Sequence, residues 1–360
     1  MMKYKIPILT IIFLLMSFPA HSAHHFQTDL VSHYPEYNIG DVFVFNTPDM
    51  KSTVFILTAN PSKPGKGGPS ANLTAKTDFG SGGLYNIHIA SDKDIKTGVT
   101  YTFIFDGDKI RVGKIDNPNA KIGDKGKTLA DAQVGQKFEL NGEIKVWTGR
   151  ILEPYFVDAF DFGVLQNSIT MGTLDKNAFK KTAKDIFTNA RISAIVMEIP
   201  NTMLSPEVYY YGTTAVMDHH HGNEWVQVNR MGNVLMPYIF LWDSPATRLE
   251  HDQHRPDGDD RHKNTISNNV YRAASVSGGQ KNVTEYANTV AEQLTPDVLM
   301  YKIGTKAKYG IGSSGGRPLD DDPSDVVFST YLGIPMSDGI PNPKHYTESF
   351  PYVIPVDRQK

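Results

Sequence analysis

Residues 192–199 read ISAIVMEI, and this apolar stretch decides the fold class. It carries too little alternation for a strand with one wet face. The expected element is a strand buried on both faces in the middle of a sheet, ended by Pro200. Strands of the other kind lie on both sides of it. Upstream, Asp41 to Asn46 alternates Val42 and Val44 with Phe43 and Phe45, turns at Thr47-Pro48-Asp49, and pairs with Thr53 to Ala59 as a hairpin. Leu84 to Ala90, Val99 to Phe105, Lys109 to Gly113 and Val146 to Phe156 follow, with loops and short edge strands over residues 114–142. Downstream, Val208 to Met217 and Glu224 to Arg230 are further strands. Apolar strands every ten to fifteen residues predict a mainly β protein with an antiparallel sandwich or barrel-like core.

Helical spacing is sparser. Asp175 to Asn189 carries an apolar stripe through Ala178, Phe179, Ala183, Ile186 and Phe187, with Asp158 to Gly163 before it read as a turn. Thr284 to Leu294, capped by Thr284, is a second helix. Thr295-Pro296-Asp297 would start a short one through Tyr301, and Asp325 to Leu332 suits a third, capped by Ser324 or Asp325. Residues 60–83, rich in Pro, Gly, Ser and Lys, read as a mobile loop, and Gly310 to Gly316 as a flexible one. The expected organisation is a β-rich core over residues 23–230, with a helix- and loop-rich part, 231–360, packed on it as one compact unit.

The N-terminus reads as a signal peptide over residues 1–22. Lys3 and Lys5 precede an apolar run from Ile6 to Phe18, and small residues follow at Ala20, Ser22 and Ala23. Cleavage after Ser22 fits best and after Ala23 second, so a periplasmic or secreted protein is expected. No later run of about 18 apolar residues exists, so no membrane anchor is expected after cleavage. The chain has no cysteine, which excludes a disulfide framework, thiol chemistry and a lipoprotein anchor. A formal net charge of −3 gives no electrostatic case for nucleic acid.

The ordered motifs resemble one known family. AHHFQT (23–28), NIGDVFVFNTPD (38–49), TVFILTANP (53–61) and LYNIHIASDKDIKTGVTYTFIF (84–105) come first. VWTGRILEPYFVD (146–158), ARISAIVMEIP (190–200) and QVNRMGNVLMPYIF (227–240) form the centre. TPDVLMYKIGT (295–305), GRPLDDDPSDVVFS (316–329) and FPYVIP (350–355) close it. Nearly the whole mature chain is similar in this order to the bacterial domain-of-unknown-function family 4331. The resemblance implies an exported, β-rich protein and no agreed reaction. The histidine triplet at 219–221 and the segment HDQHRPDGDDRH (251–262) depart from the family pattern, so a role built on them need not be general.

That departure holds the most unusual chemistry. Six of the twelve histidines lie between Asp218 and His262. Imidazole is the commonest ligand for zinc, copper and nickel. In an extended run His219 and His221 share a face while His220 points away. His251 and His254 suit a helical turn or loop, with Asp218 or Asp252 supplying oxygen. At the mature N-terminus, His24 and His25 place an imidazole beside the free amine, a Cu(II) or Ni(II) chelate, and His33 follows. The alternatives are a solvated loop and a frayed terminus. A third candidate is Asp320 to Asp325, where Asp321 and Asp322 suit Ca²⁺ and helix capping is the competing reading. Arg317 is available to pair with one of these carboxylates. Asp257-Gly258-Asp259-Asp260 is a turn read as either calcium-binding or solvated.

No GxSxG, P-loop, dinucleotide GxGxxG or HExxH motif is present. The leading expectation is therefore a non-catalytic binding protein holding Cu, Zn or Ca. A metal-dependent enzyme, oxidative or hydrolytic, comes second. A module that binds glycan or protein through Tyr209, Tyr210, Tyr211, Trp225 and Trp242 comes third.

Overall fold

The structure, a computed structural model, describes residues 28–357 apart from 66–67, 176, 178–182 and 220–221. Two antiparallel sheets are packed together, with most helices toward the C-terminus. The first sheet runs β1-β2-β11-β10-β9. Its strands are β1 (Ile39–Asn46), β2 (Ser52–Ala59), β9 (Phe138–Leu140), β10 (Ile144–Leu152) and β11 (Arg191–Pro200). The opening stretch, ISAIVMEI, is β11, every residue of it buried, held between β10 and β2. A strand with neighbours on both edges and side chains covered on both faces tolerates no polar alternation, which is why its sequence lacks one.

The second sheet runs β13-β12-β5-β6-β7-β8. It consists of β5 (Leu84–Ala90), β6 (Gly98–Asp106), β7 (Lys109–Ile115), β8 (Lys127–Gln133), β12 (Glu207–Asp218) and β13 (Glu224–Met231). A short β14 (Leu299–Lys302) continues the β13 edge of β12. On β12, alternation decides which side chain enters the sandwich. Tyr210 points inward, its ring edge-on to Phe55 at 5.3 Å and its hydroxyl donating to the Ile56 carbonyl at 2.8 Å. Two residues on, Gly212 keeps the sheets close, because a Cβ there would stand 2.5 Å from Leu57 Cδ1. Tyr211 faces the other way and stacks on His88, ring centroids 4.3 Å apart. Truncating a core ring such as Phe55 to Ala is expected to cost about 3–5 kcal/mol.

The helices are α1 (Asp29–His33), α2 (Ala159–Thr170), α3 (Pro245–Gln253), α4 (Lys263–Ser277), α5 (Val283–Gln293) and α6 (Pro323–Leu332). Several expectations are corrected here. Asp158 to Gly163 is not a turn: Asp158 accepts from the Asp161 N–H at 3.1 Å and caps α2. The helix expected over Asp175 to Asn189 is absent among its described residues, where 183–185 are irregular and 186–189 form a turn; its middle lies outside the described residues. Residues 62–73 contain the paired strands β3 (Ser62–Gly65) and β4 (Gly68–Leu73) rather than a loop. Thr295 to Tyr301 leads into strand β14, not a helix, because Glu207 to Tyr210 offers an unpaired edge. Asn282, not Thr284, caps α5, and Asp322 caps α6. The α3 and α4 helices had no clear signal in the spacing.

Gly310 to Gly316 is a packed strap rather than a flexible loop. Gly315 bonds to Lys308 and Gly316 to Met300, and a Cβ on Gly315 would stand 1.9 Å from the Lys308 carbonyl. Arg317, next in line, does not serve the aspartates that follow it. It pairs with Asp41 at 2.5 Å, donates to the Val42 carbonyl and stacks over Phe43, tying the C-terminal part to β1.

Candidate metal centre

Among the described residues, one group of three or more potential ligands lies close enough to share an ion: Asp322, Asp325 and Asp338, each offering an oxygen within 4.8 Å of the others. The helix start builds two of the three. Asp322 accepts from the Asp325 N–H at 3.2 Å, and Pro323 occupies the first turn, where a missing N–H costs nothing. Asp325 then sits in the first turn, favoured by the helix dipole. The loop after α6 delivers the third. The Asp338 N–H donates to Asp325 Oδ1 at 3.1 Å, while its carboxylate accepts from the N–H groups of Asp158 and Ile340, both at 2.9 Å. Asp158 in turn accepts from Lys184 N–H at 3.0 Å. The cluster thus lies where the starts of α2 and α6 and the loop 336–340 meet.

Its electrostatics are unbalanced. Burial, and then the charge of Asp325, push the Asp322 carboxyl up to about 7. Burial chiefly pushes Asp338 up to about 6. No Lys, Arg or His pairs with any of the three among the described residues. Three carboxylates bring up to six hard oxygens, a set suited to Ca²⁺ and poor for copper or zinc. Asp321, the other acidic candidate, stands apart: its Oδ2 accepts from the Tyr309 N–H.

The described histidines are not gathered. His24, His25, His220 and His221 lie outside the described residues. His33 is exposed, with Nδ1 2.7 Å from its own helix carbonyl of Asp29. His219 is exposed and bonded to Asn223 at 2.6 Å; His254 is exposed, with Nδ1 2.8 Å from the Glu250 carbonyl. Neither joins a ligand group. His251 is fully buried, and both ring nitrogens are engaged, Nε2 by Asp297 at 2.9 Å and Nδ1 by Asp252 at 3.3 Å. Burial and Arg230 push its pKa down, but the two carboxylates outweigh them and hold it above the ordinary histidine value. With both ring nitrogens engaged by carboxylates, neither offers a free lone pair to a metal. His262 is also buried, which lowers its pKa to about 4.

His251 belongs to a closed charge network. Arg230, fully buried, forks onto Asp259 at 2.9 and 2.7 Å and donates to the His251 carbonyl at 3.0 Å. Asp259 also accepts from the Asp297 N–H at 2.8 Å, and Asp297 accepts from the Asn233 N–H at 2.6 Å. The turn at 257–260 is therefore neither a calcium loop nor simply solvated: Asp259 is locked to Arg230, Asp257 accepts from Asn119, and Asp260 pairs with Lys263. Glu198 is satisfied by Lys145 at 2.8 Å and the Tyr352 hydroxyl at 2.7 Å.

The aromatic residues expected to bind glycan or protein are mostly committed elsewhere. Tyr210 and Tyr211 are buried, and Tyr209, Trp225 and Trp242 half-buried. Trp225 packs against Gly123 with Lys125 over its ring. Asp338 was missing from the sequence reading. Asp338-Gly339 signals a turn, but nothing in it says which carboxylates the turn will meet.

No helix among the described residues is long and apolar enough to cross a membrane. Neither a family model, nor a curated protein, nor a solved structure matches the chain.

Proposed function

We propose that this chain is an exported, non-catalytic binding protein that holds a hard divalent cation, Ca²⁺ first, between Asp322, Asp325 and Asp338. The observation that carries the reading is the three carboxylates within 4.8 Å of one another without a cationic partner among the described residues. Helix capping accounts for Asp322 and Asp325. It does not account for a third carboxylate, 1% exposed, brought thirteen residues along the chain against two others. A dication would repay that repulsion and lower the proton affinity of Asp322 and Asp338. The protein is read as a binder because none of the three lines the larger grooves of the molecule. Export and kinship with family 4331 rest on the sequence motifs alone and are part of this proposal. Among the described residues no histidine belongs to a group of three or more potential ligands, so a transition-metal site would have to include His24, His25, His220 or His221.

Calorimetric titration of untagged, chelator-treated protein with CaCl₂, MgCl₂, ZnCl₂ and CuCl₂ tests it. Saturable calcium binding with one site, abolished by Asp325→Asn, is expected. Failure to bind calcium, or binding that survives Asp325→Asn, rejects the assignment.

A further inference from the structure

At the far end of the seven-stranded sheet three loops converge on an open groove of about 820 Å³. It continues into a neighbouring groove of about 310 Å³, the two sharing Lys93, Thr295 and Pro296. Both volumes fall in the usual range of small-molecule sites.

The walls are fixed before any ligand arrives. In the loop after β5, the Asp92 carboxylate accepts from the N–H groups of Lys96 and Thr97 at 3.1 and 2.7 Å. Ile95 sits there at φ +58°, a conformation a β-branched residue rarely adopts. Its side chain, 1% exposed, is held with Tyr211 and Val298 in a small second core. Strain of this kind persists only where the surroundings over-determine it, and it concentrates at binding sites. The loop after β7 is pinned as firmly. The Tyr211 hydroxyl donates to Pro118 O at 2.7 Å, Arg255 donates to Asn119 Oδ1 at 2.9 Å, and Asn119 donates to Asp257 at 2.8 Å. The third wall, Pro256 to His262, is anchored by the Arg230–Asp259 pair.

The chemistry of the lining selects the ligand. The main groove sets Lys93, Lys96 and Lys263 against Asp94, Asp257 and Asp260. Two of these lysines are already paired, Lys96 with Asp94 at 2.9 Å and Lys263 with Asp260 at 2.8 Å. A balanced lining does not attract a polyanion, which argues against nucleotides and acidic polymers. The main groove is lined mostly by polar and charged side chains, unlike the apolar pockets that anchor peptide side chains. What remains is a dense set of amide, hydroxyl and charged groups with small apolar patches at Pro296 and Met300. We infer that the groove binds a neutral, polyhydroxylated ligand of the oligosaccharide class. This site is separate from the carboxylate cluster and does not depend on it.

The test is a panel of neutral, sulfated and uronic-acid oligosaccharides against the mature protein, followed by calorimetry with and without EDTA. Lys93→Met at the junction of the two grooves and Gln293→Ala in the smaller one remove exposed donors and should leave the fold intact. Lys109→Met, on another groove, is the control. Expected is binding of a neutral glycan, weakened about tenfold by either groove variant, unchanged by the control and by EDTA. No glycan bound, only acidic glycans bound, or equal loss in the control each overturns the inference.

Discussion

Two places in this molecule gather aspartates, and they solve the resulting repulsion differently. Around Arg230, the carboxylates Asp259, Asp297 and Asp252 are each held inside the protein by the Arg230 guanidinium or the His251 imidazole. At the start of α6, Asp322, Asp325 and Asp338 face one another with backbone N–H groups as their partners and no cation among the described residues. The first arrangement is complete and therefore structural. The second is short of positive charge, which is the physical content of calling it a cation site. Histidine content pointed to the first region as the ligand centre. The matched charges there show why a count of potential ligands misleads: a group already paired has nothing to offer.

The largest effect should come from breaking the complete network. Asp259→Ala leaves Arg230 buried and unpaired and should lower stability by about 3–5 kcal/mol in urea denaturation. A loss below about 1 kcal/mol would mean the network is not self-contained, and the contrast fails. At the other site the sign reverses. Asp325→Asn relieves repulsion, so the metal-free protein should be as stable as the parent or slightly more so. The same variant should lose the stabilisation that calcium gives the parent, about 2.7 kcal/mol at a hundred times Kd. Thermal melts with calcium and with EDTA check both statements.

The pH profiles sharpen the contrast. Asp322 and Asp338 have folded values of about 7 and about 6, above the ordinary 3.8, so the folded state binds more protons between those limits. Metal-free stability from the cluster should fall as pH rises from about 4 to about 7 and then level. Calcium should offset that fall, and Asp325→Asn should reduce only the part of it that the charge of Asp325 adds to burial. His251 is raised above 6.5, so its contribution is present below that pH and lost above it, as pH rises through the folded value. For Asp297, burial works upward but the His251 bond and charge hold it low, so its contribution is lost on acidification instead. Denaturation measured from about pH 2 to 8 in parent and Asp325→Asn separates these windows. A slope between pH 4 and 7 that Asp325→Asn leaves untouched would detach it from the cluster. The smallest effects belong to the exposed rings: His33→Ala, His219→Ala and His254→Ala should each shift stability by less than about 0.5 kcal/mol and leave calcium affinity unchanged.

The sequence by itself determined the layered β architecture. The unbroken apolar run of β11 and the alternation in β1 and β6 are local properties of the chain. It also marked α5 and α6 through their apolar spacing, although it set their caps two or three residues past the observed Asn282 and Asp322. It placed Asp322 in the candidate site. Tertiary structure alone decided the rest. Asp338 meets Asp325 because the chain after α6 folds back on the helix start. His251 is spent because Asp297, far along the chain, reaches it in the core. Residues 299–302 became a strand because β12 had an edge to fill. Local spacing records what a residue's own neighbours require, whereas a site is made by groups whose distance is set only when the sheets and helices have closed on one another.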